Sequence, residues 1–281
     1  MINKTFTLHH ENHDRDIFDF KYVYPVVSRR AGGLSLGINL NTNNACNWQC
    51  IYCEVPNLSR GKPDPIDVGQ LSSELSHWIN LLINSPFIEK NCAPDTKFVD
   101  VAFSGNGEPT AAIEFHQILI IVVEKLKQFN LINDIQIRLI TNGSFIHKNL
   151  PSLDLLSEFN GEVWFKIDAG DSDSINNINQ IQSSLTTIKK NLKFSLIHSK
   201  TIIQSCLLKI NDEVPSNYFL DDYIKLIKPY DKDIRAIHLY SLARKSHQTS
   251  NLKIDRLTDF ELEKIKSYLE SHLETNIYTF P

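Results

Sequence analysis

The chain has 281 residues, 42% of them hydrophobic, and its 29 Lys and Arg against 33 Asp and Glu give a net charge of −4. That apolar content suffices for one well-buried core, and a mildly acidic chain without a long basic run gives nucleic acid no support as a partner from charge, though it leaves one open. The longest aliphatic run, residues 118–123, is too short for a membrane span. The first ten residues lack the apolar core of a signal peptide, and five cysteines do not suggest a disulfide framework, so a reducing, cytoplasmic setting is expected.

Residues 1–33 read as a polar N-terminal extension. His9, His10 and His13 stand among Asp14, Arg15, Asp16 and Asp19 with neither helix nor strand spacing, as solvated residues do. Arg29 and Arg30 precede a Gly32-Gly33 turn, either as surface charge or within reach of a carboxylate or phosphate at a site's mouth. Residues 34–40 are predicted as a first strand, followed by a cysteine-rich loop and a turn-rich segment over 58–65. Asp67 with Gln70 resembles a capping box, and Leu71, Leu75, Trp78 and Leu82 share one helical face. A second strand is predicted over 98–103, a helix over 111–129, and a third strand over 135–140 that ends at Thr141-Asn142-Gly143. A short helix passes Leu153 and Leu156, and a fourth strand over 163–167 ends at Asp168-Ala169-Gly170. Ile175, Ile178, Ile181, Leu185, Ile188 and Leu192 predict one long helix. Strand five (201–208), a helix (218–228), strand six (234–242), a last helix capped by Thr258 and Glu261, and a closing strand (276–280) complete the chain. This alternation predicts an α/β fold in which residues 34–281 form one domain, a partial parallel (β/α)6 barrel.

In parallel barrels, ligand contacts gather at the carboxyl ends of the strands, and the chemistry-bearing residues fall there. Cys46, Cys50 and Cys53, spaced Cys-x3-Cys-x2-Cys, can wrap one face of a metal centre. Structural zinc wants a fourth protein ligand that is not nearby, whereas a four-iron cluster held by three thiolates keeps one iron open. Strand two runs into Gly105-Asn106-Gly107-Glu108-Pro109, where glycines admit close backbone approach and Glu108 can oppose an ammonium. Trp164, Lys166 and Asp168 alternate onto one face of strand four, so Lys166 and Asp168 either pair with one another or face a polar cavity. Arg138 with Asn142, and Ser205 or Gln204, show the same inward polarity. His238 reads as a wall residue, Cys92 and Cys206 as small buried ones, and Arg244 as an anion ligand or a neutraliser of carboxylates.

The cysteine spacing resembles the signature loop of the radical S-adenosylmethionine (radical SAM) enzymes. That resemblance implies one [4Fe-4S] cluster on Cys46, Cys50 and Cys53 and S-adenosyl-L-methionine as the second cofactor. It makes Tyr52 the aromatic adenine contact, and Gly105, Asn106, Gly107 and Glu108 a variant of the family's Gly-Gly-Glu segment, which binds the methionine amino group. Asn142, Asp168 (for the ribose hydroxyls), Ser205, Leu239 and Tyr240 (near adenine) complete the cofactor set. Lys166 becomes a candidate for the substrate or the cofactor carboxylate, and Arg244 a residue facing the substrate. A partner that donates electrons, such as flavodoxin or ferredoxin, is implied as well. Ser28-Arg29-Arg30, the segment 103–110, the segment 165–170 and Tyr240-Ser241-Leu242-Ala243-Arg244 look like a radical SAM group related to the wyosine-synthesising enzymes of tRNA, over residues 22–281. No Cys precedes Cys46, so the second cluster of the wyosine enzymes has no ligands and their reaction is not expected. The substrate is left open between an RNA base and a small molecule. The alternative is a non-catalytic iron–sulfur or zinc protein acting as redox sensor or scaffold.

Overall fold

Seven strands of the chain lie side by side in parallel, in the order in which they occur, and an eighth closes one edge antiparallel. The computed structural model describes residue 8 and residues 20–181, 184–248 and 251–280; His9, His10 and His13 lie outside the described residues. The sheet runs β1 (Val23–Ser28), β2 (Gly33–Ile38), β3 (Phe98–Phe103), β4 (Gln136–Thr141), β5 (Glu162–Lys166), β6 (Lys200–Cys206), β7 (Ala236–Tyr240) and β8 (Ile277–Phe280). Each crossover steps to the next strand in one direction, so the sheet curls into a half-barrel instead of winding both ways from a centre. The helices are α1 (Val68–Asn84), α2 (Phe87–Asn91), α3 (Phe115–Gln128), α4 (Leu150–Glu158), α5 (Ser172–Asn179), α6 (Leu185–His198), α7 (Asn217–Ile227) and α8 (Asp259–Glu270). The large core gathers side chains such as Val163, Phe165, Ile203, Ile237 and Leu239 with those of the helices, while Trp164, Ile202 and Ala236 form a small separate cluster on the concave face.

The expected parallel strands all form, within a few residues of their expected bounds. The segment expected as strand five ends early: Lys200–Cys206 lies in the sheet, and Leu208 instead begins a short strand, Leu208–Ile210, that pairs antiparallel with Ile254–Arg256. The extension holds a strand that was not expected, since β1 pairs antiparallel with β2 from Val23 opposite Ile38 to Ser28 opposite Gly33. Its entry is pinned by Glu74, a buried carboxylate on α1 that accepts the N–H groups of Lys21 (3.1 Å), Tyr22 (2.8 Å) and Val23 (3.1 Å).

The single long helix over 175–192 is also corrected. Gln180 turns left-handed (φ 53°) to end α5, and Ser184 starts α6 by accepting the Thr187 N–H. The apolar spacing continues across this break, so the period hides it. Thr258 and Glu261 make both halves of their capping box. Asp67 makes only one half, because the Gln70 amide donates to Glu74 instead. The turn into β8 is held by Asp231, which accepts the Thr275 hydroxyl (2.6 Å) and the N–H groups of Thr275 (3.0 Å) and Glu274 (2.9 Å). Burial pushes this carboxyl up, but those bonds and Lys228 outweigh it and hold it at about 2.

Candidate functional site

The cysteine loop leaves β2 through Asn39 and Asn41, both buried. Asn39 Oδ1 accepts the N–H groups of Asn41 (3.1 Å) and Asn106 (3.0 Å), and Asn41 Nδ2 donates to the Ala45 carbonyl (2.9 Å). The loop after β3 packs directly on this frame. A Cβ on Gly105 would stand 2.3 Å from Asn39 Oδ1, and one on Gly107 would stand 2.3 Å from the Ala45 carbonyl oxygen. The close approach that requires glycine here is therefore between two loops of the chain.

The far side of the loop is tied down by residues that spacing did not single out. The Ile51 N–H donates to the Ile178 carbonyl (2.9 Å) and the Gln49 N–H to that of Asn179 (3.3 Å), at the end of α5. After β7, Ser246 Oγ donates to the Ile51 carbonyl (2.7 Å), the His247 N–H to that of Cys53 (3.0 Å), and Gln248 Nε2 to that of Val55 (2.8 Å). These contacts join distant parts of the chain, so no local pattern announces them.

Between the loop and the concave face lies a cavity of about 300 Å³. Cys46, Cys50, Cys53, Tyr52, Gly105, Asn106, Gly107, Glu108, Asn142, Lys166, Tyr240 and Arg244 all line it, beside Arg30, Trp164 and Gln204. The structure thus brings most of the expected site residues together. Ser205 and Leu239 belong to the opposite face: Ser205 shares a hydrogen bond with the Tyr223 hydroxyl on α7 (2.8 Å), and the Leu239 side chain joins the helix-side core. Strand pleat sets the correction for Ser205, since it is Gln204, one residue away, that faces inward.

None of the three thiols is in a disulfide. Cys46 Sγ accepts the Trp48 N–H (3.4 Å) and Cys50 Sγ accepts from Asn179 Nδ2 (3.3 Å). Burial pushes the Cys46 thiol up to about 12 and the Cys50 thiol up to about 11, so both are protonated at neutral pH. Among the described residues, no three His, Cys, Asp or Glu side chains are gathered closely enough to form a ready-made metal site. The donor set nonetheless fits a thiophilic centre in number and in access to one cavity. Binding such a centre would draw the sulfurs together and release their protons.

Glu108, 2% exposed, sits across the cavity. Its Oε1 accepts from the Thr110 N–H (3.1 Å), the Thr110 hydroxyl (2.5 Å) and the Thr141 hydroxyl (2.7 Å), whereas its Oε2 accepts only the Asn142 N–H (2.6 Å) among the described residues. Burial raises the pKa of this carboxyl against those four bonds. A cationic ligand group at Oε2 would relieve that penalty.

Lys166 and Asp168 combine the two roles weighed for them. The ammonium lines the cavity, lies 3.8 Å from the Asp168 carboxylate and donates to the Tyr52 hydroxyl. Asp168 does not line the cavity. Its Oδ1 accepts the Cys206 N–H (2.9 Å), and its Oδ2 accepts from the Tyr52 hydroxyl and from Asn179 Nδ2 (2.7 Å). Burial alone would lower the Lys166 pKa, but Asp168 outweighs it, so the ammonium stays charged. Burial raises the Tyr52 phenol, which stays a donor. Lys166, Tyr52, Asp168, Asn179 and Cys50 form one continuous chain of contacts. Arg244, expected at the substrate, pairs with Glu54 immediately after Cys53.

No family model matches the chain. It is 30% identical over 260 residues to a Brachyspira hyodysenteriae protein named GTPase Obg, a match that covers 90% of this chain and 34% of that protein. It is 28% identical over 258 residues to a UPF0026 protein of Helicobacter pylori, covering 88% of this chain and 72% of that one. The chain therefore spans about a third of the first of these relatives. Among solved structures, a radical SAM methyltransferase from Sphaerobacter thermophilus superposes with a TM-score of 0.54 at 12% identity, over 88% of this chain and 66% of that one. anSMEcpe with bound AdoMet gives 0.55 at 20% identity, over 86% and 62%. The fold of this chain is the mostly parallel α/β half-barrel that radical SAM enzymes share.

Proposed function

We propose that the chain is a single-cluster radical SAM enzyme. The observation that carries this reading is the placement of Cys46, Cys50 and Cys53 on the loop after the first parallel strand, lining one cavity with Glu108, Asn142 and Lys166. The fold shared with an AdoMet-bound structure supports it. A [4Fe-4S] cluster, if bound there, would be held by the Cys46, Cys50 and Cys53 thiolates and would supply the electron for reductive cleavage of S-adenosylmethionine and radical chemistry on the substrate.

In this reading the three thiolates hold the cluster, and Asn179 fixes the middle one from behind. Glu108 Oε2 receives the cofactor's amino group, and the Lys166 ammonium receives a carboxylate of cofactor or substrate. Tyr52, braced by Lys166 and Asp168, presents its ring to the cavity, and Tyr240 and Trp164 wall it. Asp168 acts through Tyr52 and Asn179, so it positions groups instead of touching the ribose. A donor of the flavodoxin or ferredoxin type, in a reducing cytoplasm, completes the proposal. The name of the Brachyspira relative transfers no nucleotide site, since the sequence has no Gly-x4-Gly-Lys-Ser/Thr loop. A sensor or scaffold has no use for a cavity furnished with carboxylate, ammonium and guanidinium groups beside the thiols, which favours the enzyme.

The test is anaerobic reconstitution with iron and sulfide, followed by assay of 5′-deoxyadenosine release from S-adenosylmethionine under a strong reductant. Release that depends on Cys50 is expected. A protein that binds iron but never cleaves the cofactor would sink the reading.

A further inference from the structure

A second cavity of about 270 Å³ adjoins the first, and Arg30, Cys53, Gly105, Tyr240 and Arg244 line both. Arg29 lines the second cavity as well. Arg30 leaves the β1–β2 turn and enters the half-barrel. Its guanidinium lies 4.4 Å from the centre of the Tyr240 ring and 5.2 Å from that of Trp164, and it donates to the Gln204 side-chain carbonyl at 2.5 Å. Gln204 is itself oriented, since its Nε2 donates to the Trp164 carbonyl (3.0 Å). The fork is therefore held in place before any ligand arrives.

What it lacks among the described residues is a counter-ion. Among the described residues neither Arg29 nor Arg30 pairs with a carboxylate, and the one carboxylate lining this cavity is Glu54, which pairs with Arg244. Burial and then Arg30, Arg256 and Arg244 press the Arg29 guanidinium down, and Glu54 opposes them. Among the described residues lining this cavity, Glu54 pairs with Arg244 and no carboxylate pairs with Arg29 or Arg30, which leaves two guanidinium charges in a concave, half-buried space. Solvated surface arginines would be the ordinary reading of such a pair in sequence. The Tyr240 ring, which lines both cavities, and the Trp164 ring and Gln204 amide, which line the first, hold Arg30 where the two cavities meet and argue for a built receptor.

We propose that this cavity receives the phosphate group of a phosphorylated small-molecule substrate. Two uncompensated charges match a phosphate monoester dianion, and the guanidinium fork matches its oxygens. The small volume of the cavity and the net charge of −4 favour a small molecule over a nucleic acid. Calling this ligand a substrate rests on the radical SAM reading, whereas the phosphate site itself does not.

The experiment is calorimetric titration of the full chain with inorganic phosphate, with acetate, and with a short single-stranded RNA. Phosphate is expected to bind at least tenfold more tightly than acetate. Arg30→Gln and Arg29→Gln should each weaken phosphate binding by roughly tenfold to a hundredfold, with unchanged circular dichroism. Arg30→Lys should fall between, and Lys225→Gln, at an exposed position, should have no effect. Equal binding of acetate, or undiminished phosphate binding by folded Arg30→Gln, overturns the proposal. So does RNA that displaces phosphate with steep salt dependence, or saturating S-adenosylmethionine that expels phosphate from the reconstituted protein. Cofactor cleavage by the wild-type protein is scored separately, so failure of the enzyme reading is distinguishable from failure of the phosphate site.

Discussion

Asp168 is the place where a single substitution should reveal how the site is held together. Its carboxylate, 1% exposed, is the acceptor for the Cys206 N–H, the Tyr52 hydroxyl and the Asn179 amide, and it lies 3.8 Å from the Lys166 ammonium. Asp168→Ala removes every one of these partners at once. Breaking a buried ion pair from one side costs about 3–5 kcal/mol, because the surviving charge is left uncompensated. Lys166 keeps 17% of its side chain exposed, which places the charge contribution near the low end. Orphaned donors add to it, so a loss of about 4 kcal/mol is expected, a large share of the roughly 5–15 kcal/mol that holds a domain together. Asp168→Asn keeps an acceptor oxygen and should lose about 2 kcal/mol. Equilibrium urea unfolding of the metal-free protein measures both, compared at a common slope. Adding Lys166→Met to Asp168→Ala should recover part of the loss. The reasoning fails if Asp168→Ala costs under about 1 kcal/mol, or if Lys166→Met deepens the loss instead of relieving it.

Three further expectations follow from the same geometry. Gly107→Ala drives a methyl group into the Ala45 carbonyl, next to Cys46, so it should cost about 1–3 kcal/mol in urea unfolding and lower iron incorporation, and normal values for both would contradict the loop packing. Glu74→Gln leaves three backbone N–H groups with a poorer acceptor and should destabilise by about 2–4 kcal/mol, whereas a neutral effect would mean that β1 does not depend on it. His238 is buried against Trp164 and Phe280, and burial, then Arg30 and Arg138, lower its pKa from 6.5 to about 4. Between pH 6.5 and 4 the unfolded imidazole takes up a proton that the folded one refuses. This contribution is therefore complete above pH 6.5 and falls by about 3 kcal/mol as pH drops through that window. His238→Phe should flatten that part of the stability profile, and an unchanged profile would contradict the assignment.

The parallel strands were legible as short apolar runs, and those over Phe98–Phe103, Gln136–Thr141 and Glu162–Lys166 also run into glycine, asparagine or aspartate within a few residues, where a strand hands over to a loop. β1 was not, because Pro25 interrupts its apolar run, and only the structure shows that it lies at the sheet edge, where a proline is tolerated. The break between α5 and α6 was hidden by apolar residues that keep helical spacing across it. It is announced only by Gln180 in a left-handed turn and Ser184 as a cap. In the site, Cys46, Cys50, Cys53, Glu108, Asn142 and Lys166 were legible because unusual residues at strand ends stand out against apolar strands. Ser205 was misplaced by one residue of pleat, which reverses the face of a whole strand. Asn179 was not legible at all. Its bonds to Asp168 and Cys50 span 11 and 129 residues, and an asparagine near a helix end ordinarily reads as a cap.

The most direct test of the central claim is the electron paramagnetic resonance spectrum of the reconstituted, reduced protein before and after addition of S-adenosylmethionine. The expected result is the signal of one reduced four-iron cluster, changed on addition of S-adenosylmethionine and absent in Cys50→Ala. A signal that S-adenosylmethionine does not perturb, or one that survives in Cys50→Ala, would contradict it.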